Sequence, residues 1–294
     1  MDLHVVKLNP SGNTTLFVTD PVPKEKRAAV ARALMDTTCF LAEQVGFLGE
    51  ETSRPADISV SMMGGEFCGN AVRCAAALRY FKTRKDGETA EYDVCCSGLS
   101  HNVKTSVRKI SRIVFDVTAE MPHPLSAETV RAGGETFCRV ALSGIVHFCH
   151  VTEIMPSVSE KEKLTRAVLE TFPTEAGSAT GILFYDGFTL DPFVYVKETD
   201  TLVNESSCGS GTAALAAHLA LSADKKIHIE AHQSGGLIYA DAEAKEGKLK
   251  SLSIGGPVIL TAEGIAYIED CQTVRLKDCQ TERLKDCQTE RLSD

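Results

Sequence analysis

The chain has 294 residues, room for one large domain or two ordinary ones, with 43% hydrophobic and 24% charged residues, close to a soluble globular average. A net charge of −9 without any Lys/Arg cluster argues against a nucleic-acid partner. Eleven cysteines behind a start, Met1-Asp2-Leu3-His4, that lacks the basic and apolar regions of a secretory signal predict reduced thiols in the cytoplasm and no disulfide framework.

Residues 4–8 and 15–18 read as β-branched-rich strands joined by the turn Asn9-Pro10-Ser11-Gly12-Asn13. Helical periodicity follows over 24–41, then a strand over 58–62 and a helix over 70–81. Alternation over 103–117 predicts half-buried antiparallel strands. A second round starts near Met121-Pro122, with strands over 136–151 broken at Gly144 and an amphipathic helix over 159–170 opened by Ser159. Strands over 181–185 and 193–197 lead to a helix over 212–221. A meander (227–230, 237–241, 249–254) and a final hairpin over 258–268 complete the reading.

The uncharged run 206–223 approaches a membrane span in length, but its Gly, Ser, Thr and Ala suit a buried helix, so no membrane partner is expected. From Asp270 an octapeptide recurs with a period that fits neither a heptad nor an eleven-residue seam. It reads as a repeat-expanded tail outside the fold; the alternative is a short charged helix whose thiols cross-link or bind metal.

Two rounds of one plan suggest an internal duplication. Each round ends in Cys-Gly opening a small-residue helix: Cys68-Gly69-Asn70 in the first, Cys208-Gly209-Ser210 in the second. Helices that are apolar nearly all round are buried on all sides, here by sheet. A cysteine at a helix start meets the positive end of the dipole, which favours thiolate, and free N–H groups there hold a carboxylate. Two such sites face to face would put one sulfur on each side of a substrate Cα, one thiolate removing a proton while the other thiol supplies one.

These motifs resemble those of diaminopimelate epimerase and its relatives, which use paired cysteines without pyridoxal phosphate. The family's C-G-N-G-A-R-C stands against Cys68-Gly69-Asn70-Ala71-Val72-Arg73-Cys74, and its A-C-G-S/T-G-A against Ser207-Cys208-Gly209-Ser210-Gly211-Thr212. Gly12-Asn13, Glu43-Gln44, Gly144-Ile145-Val146-His147 and Gly256-Pro257 fall in order with further family landmarks. Within the family the wording is most similar to the histidine racemases of opine-type metallophore biosynthesis.

The resemblance implies an α+β fold of two similar α/β domains, each a mixed, mostly antiparallel sheet around a central helix, with the active site in the cleft. The domains would be 1–120 with Cys68 and 121–256 with Cys208, followed by the hairpin 257–269, which returns towards the first domain, and the tail 270–294. It further implies Cys68 and Cys208 as the acid/base pair and no cofactor or metal. Gly69, Asn70, Gly209 and Ser210 would bind the α-carboxylate, with Asn13 and Gln44 as further substrate contacts. Glu205 would hold an ammonium or imidazole, or simply complement the helix dipole. The partner is a small amino acid; a homodimer stays open.

Departures bear on the substrate. Where the epimerase carries an Arg for the distal carboxylate, this chain has Glu198-Thr199-Asp200, and two expected Asn residues are Ile145 and Ala179. A second carboxylate would lie unpaired beside acids. Diaminopimelate is therefore not expected as the substrate; a one-carboxylate amino acid, histidine, is. Racemases or epimerases of other amino acids, a cysteine acyl-transfer enzyme with Cys208 as nucleophile and His147 as base, and a thiol or metal-binding protein remain as alternatives. His228 and His232, and His147-Phe148-Cys149-His150, lack the spacing of a metal site.

Overall fold

The computed structural model describes residues 1–49, 54–83, 88–174 and 178–269. The octapeptide tail, with both readings of it, lies outside the described residues. The first round holds β1 (Asp2–Asn9), β2 (Thr15–Val18), α1 (Lys24–Met35), β3 (Gln44–Leu48), β4 (Ile58–Met62), α2 (Gly69–Thr83), β5 (Thr89–Cys96), β6 (Val103–Lys109) and β7 (Val114–Glu120). The second holds β8 (Ser126–Ala132), β9 (Glu135–Leu142), β10 (Ile145–Val151), α3 (Val158–Thr171), β11 (Ala179–Tyr185), β12 (Leu190–Val196), β13 (Thr201–Asn204) and α4 (Gly209–Ala223). The chain then runs through β14 (Lys226–Gln233), β15 (Gly236–Lys245) and β16 (Lys248–Tyr267).

Strands β1 to β7 neighbour one another in order, and β16 pairs with both β7 and β1, which closes an eight-stranded barrel. Beyond the closure, β15 and β14 extend the sheet from the far end of β16. A second sheet runs β13-β12-β11-β10-β9-β8. Pairing is antiparallel except at β2–β3, β4–β5 and β10–β11. The architecture is thus mixed α+β, mostly antiparallel, with few helices.

Helix α2 packs against β2, β4, β5, β6, β7 and β16, six of the barrel's eight strands. Its run of small residues, Ala71, Cys74, Ala75, Ala76 and Ala77, is wholly buried, which lets sheet approach it from several sides. Helix α4 lies between β9 and β10 of the second sheet and β14–β16 of the first. Its Ala213, Ala214, Ala216 and Ala217 are equally buried, against Leu183, Ile238 and Ile254. The uncharged run is therefore a core helix, and no helix among the described residues is long and apolar enough to cross a membrane. Helix α3 covers the outer face of the second sheet through Leu164 and Val168 against Phe137, Phe148 and Phe184.

Several expectations are corrected. The first helix ends at Met35, not 41: Asp36 accepts the Thr38 N–H at 2.8 Å, a local turn that competes with helix, and Thr37 and Thr38 are β-branched. Ser157, not Ser159, caps α3, its N–H donating to Glu160 at 2.8 Å in a capping box. The final hairpin does not exist; 248–267 is one strand of 20 residues. Four strands, β3, β5, β8 and β13, were not foreseen.

Candidate active site

The approach to α2 is set by two glycines. Gly65 turns the chain at φ 78, its N–H donating to Met62 at 2.9 Å. Gly98 packs directly on Phe67; a Cβ there would lie 2.4 Å from the Phe67 nitrogen. Cys68 is thereby placed immediately before α2. Cys208 is the N-cap residue of α4, its N–H held by Gln233 at 2.7 Å. The two helix starts are neighbours: Ile254 lies against both Gly69 and Gly209, and the Gly209 position abuts the Asn70 side chain.

Between them lies a cavity of about 510 Å³. Asn13, Gln44, Cys68, Gly69 and Asn70 line one part of it, and Glu205, Cys208, Gly209 and Ser210 another. All nine residues singled out in the sequence are thus on one cavity. Ile145 and Ala179, which stand where the epimerase has amides, are cross-strand partners in β10 and β11 and also line it. The charged lining residues are Glu66 and Glu205; no lysine or arginine is among the described residues that line it.

A chain of amides leads to Cys68. The thiol donates to Gln44 Oε1 at 3.1 Å, and Gln44 Nε2 donates to Asn13 Oδ1 at 2.8 Å and Thr15 Oγ1 at 2.7 Å. Asn70 Nδ2 donates to the same Asn13 oxygen at 3.2 Å, and Arg73 donates to Asn70 Oδ1 at 3.1 Å. Arg73 is completely buried and has the carbonyls of Val117 and Pro257 as its other acceptors, at 3.1 and 3.2 Å. Because a guanidinium only donates, it fixes which way the Asn70 amide is turned. At the far end Asn13 Nδ2 donates to Glu43 at 3.0 Å.

Around Cys208 the partners differ. Ser210 Oγ is 3.6 Å from the sulfur and 2.9 Å from His147 Nε2. Burial pushes the Cys208 thiol well up, and the Glu205 carboxylate beside it pushes it further. Burial also raises Glu205 to about 7, with Glu43 adding to the shift. Burial raises Cys68 too, against the Ala71 N–H that favours its thiolate. The helix starts were expected to favour thiolate; desolvation outweighs that effect at both.

Three neighbours escaped sequence reasoning: Arg73, Gln233 and the Ser210 partner role of His147. Arg73 had one signal, a charge among buried small residues where the family's motif also carries Arg; the helix's other cations, Arg79 and Lys82, come later. The other metal candidates do not form sites. His228 bonds Asp241 at 3.0 Å, His232 stacks on Phe188 at 4.0 Å, and no cluster of three ligand-type side chains exists among the described residues.

Residues 2–267 match the family described as histidine racemase CntK N-terminal domain. A histidine racemase of Fusobacterium nucleatum subsp. nucleatum is 33% identical over 270 residues, covering 90% of this chain and 97% of the relative. One from Staphylococcus aureus is 27% identical over 268 residues, with the same coverage. Among solved structures, a hydroxyproline epimerase of Agrobacterium vitis superposes with TM-score 0.62 at 11% identity, over 92% of this chain and 94% of that one. A probable proline racemase of Agrobacterium radiobacter gives 0.61 at 12%, over 91% and 93%. These last two share the fold. The family match and the Fusobacterium relative go further: this chain belongs to the histidine racemase family of isomerases.

Proposed function

We propose that the protein inverts Cα of free histidine, L to D, with Cys68 and Cys208 as opposed acid and base and no electron-sink cofactor, and that the D-histidine serves metallophore synthesis. The observation that carries the reading is the meeting of two Cys-Gly helix starts on one cavity. The α-carboxylate sits at the N–H groups of Gly69-Asn70 and Gly209-Ser210, where the helix ends stabilise the charge that develops as the proton leaves. One thiolate takes the Cα proton and the opposite thiol gives its own to the other face. Bonds and protons balance, and the two sulfurs exchange roles. Burial that raises a thiol also makes its thiolate a stronger base, which suits a weakly acidic Cα–H.

The side-chain end of the cavity supports histidine over diaminopimelate. Ile145 and Ala179 offer apolar wall, Glu205 and Glu66 offer acceptors, and a second carboxylate would find no cation. Asn13 and Gln44, fixed in the amide chain, are the further polar contacts. The same reading takes 1–120 and 121–256 as two α/β units on α2 and α4 with the cleft between them. The burial of both helices by sheet supports that division. The eight described cysteines are free thiols, which suits the cytoplasm.

The test is incubation of L- and D-histidine with purified protein in D₂O. Deuterium at Cα from either enantiomer, without added cofactor and lost in Cys68→Ala and Cys208→Ala, is expected. Unchanged turnover in both variants removes the mechanism; loss in Cys208→Ala alone with a covalent thioester indicates acyl transfer. Appreciable epimerisation of diaminopimelate sinks the substrate assignment.

A further inference from the structure

His147 is completely buried, and no step of the inversion uses it. Its Nε2 lies 2.9 Å from Ser210 Oγ, and that oxygen lies 3.6 Å from Cys208 Sγ, within reach of a hydrogen bond to sulfur. Its other nitrogen, Nδ1, is buried with no hydrogen-bond partner. The ring packs on Gly181 of the adjacent strand, where a Cβ would stand 2.1 Å from Nδ1, so only glycine admits it there. Burial holds the imidazole down to about 3, so it is neutral and carries one hydrogen.

That hydrogen has two places to sit. On Nδ1 it would be a buried donor with no acceptor, which is rarer and costlier than a buried lone pair. On Nε2 it is donated to Ser210 Oγ. The serine oxygen, having accepted, keeps its own hydrogen for another acceptor, and the sulfur of Cys208 is the one in reach.

We propose that His147 is a positioning residue for this reaction: as the Nε2–H tautomer it turns the Ser210 hydroxyl so that its hydrogen points at Cys208 Sγ and steadies that sulfur as thiolate. The proposal rests on the two-thiol reading. Ser210 and the Gly211 N–H favour the Cys208 thiolate, against burial and the Glu205 carboxylate, with Glu43 acting behind Glu205. Gln233 holds the Cys208 backbone and not the sulfur.

Two measurements on the full chain decide it. In ¹⁵N spectra, with the His147 signals assigned by their loss in His147→Gln, the expected tautomer carries its proton on Nε2; a proton on Nδ1 overturns the proposal, since Ser210 would then spend its hydrogen on the ring. The second is iodoacetamide alkylation across pH, with each thiol read by peptide mass. Ser210→Ala and His147→Leu should slow alkylation of Cys208 about tenfold at fixed pH by raising its midpoint, the loss of one hydrogen bond to a charged group. Cys68 should be unmoved, and His147→Gln, whose amide N–H can still donate, should restore most of the rate. An unmoved Cys208 midpoint in Ser210→Ala, or an equal shift at Cys68, overturns it. Should His147→Leu fail to fold, Ser210→Ala and the tautomer still decide. If the racemase reading is what fails, Cα exchange is absent while the tautomer and midpoints come out as stated.

Discussion

The starts of α2 and α4 carry the same local signature, Cys-Gly before a buried small-residue helix, yet their sulfurs meet opposite surroundings. Cys68 donates to an amide carbonyl whose orientation is pinned through Asn13 and Asn70 by the buried Arg73. Cys208 meets a hydroxyl backed by a neutral histidine and a carboxyl group, Glu205. A reaction that runs between mirror-image substrates is thus set in unlike halves. The helix end brings each thiol to the cavity, while tertiary neighbours decide how easily each gives up its proton.

Removing either sulfur should have the largest effect. Cys68→Ala and Cys208→Ala are each expected to lower kcat/KM for histidine racemisation by roughly 10³-fold or more, measured by polarimetry in both directions. A surviving rate in one variant would make the halves unequal in kind and not only in degree. Next comes the amide anchor. Arg73→Met takes the guanidinium donors from the Val117 carbonyl and Asn70 Oδ1, leaves the Pro257 carbonyl with the Ser11 hydroxyl, and should destabilise the fold by about 2–4 kcal/mol in urea unfolding.

Glu205 is on the other side of the comparison. Its folded-state value of about 7 lies above its usual 4.5, so the folded protein holds this proton more tightly than the unfolded chain. That stability is present below the unfolded value and is lost as pH rises through about 7. Glu205→Gln should therefore be more stable than the parent at pH 8, by about 2–3 kcal/mol, with the gap vanishing near pH 4. A gap that is constant with pH would break the assignment. The smallest effect is at Gln44. A carbonyl that accepts the Cys68 proton favours the thiol, so Gln44→Ala should speed Cys68 alkylation about two- to threefold at fixed pH and leave Cys208 alone.

The pair of cysteines was legible because helix starts announce themselves locally, and seven of the nine candidate residues sit in or beside such motifs; Asn13 and Gln44 came from the family landmarks alone. The partners were not. Arg73 finds its acceptors on β7 and β16, contacts that no spacing along the helix encodes. Strands β8 and β13 escaped because their side chains are largely exposed and carry no buried alternation. Strand β3 escaped for the opposite reason: it is short and nearly all buried, with Gly46 against Phe17 and Val60. In β16, Gly255-Gly256-Pro257 reads as a breaker, yet the ladder with β7 runs straight through it.

That last strand has a consequence for how the protein is made. Strand β1 is synthesised well before its partner β16, so the barrel stays open until residues near 267 have emerged. Until then β1 and β7 expose unpaired edges, and α2 lacks one wall. Folding of the whole ring is thereby tied to late synthesis, and a nascent chain stalled before 248 offers two sheet edges that another copy can pair with.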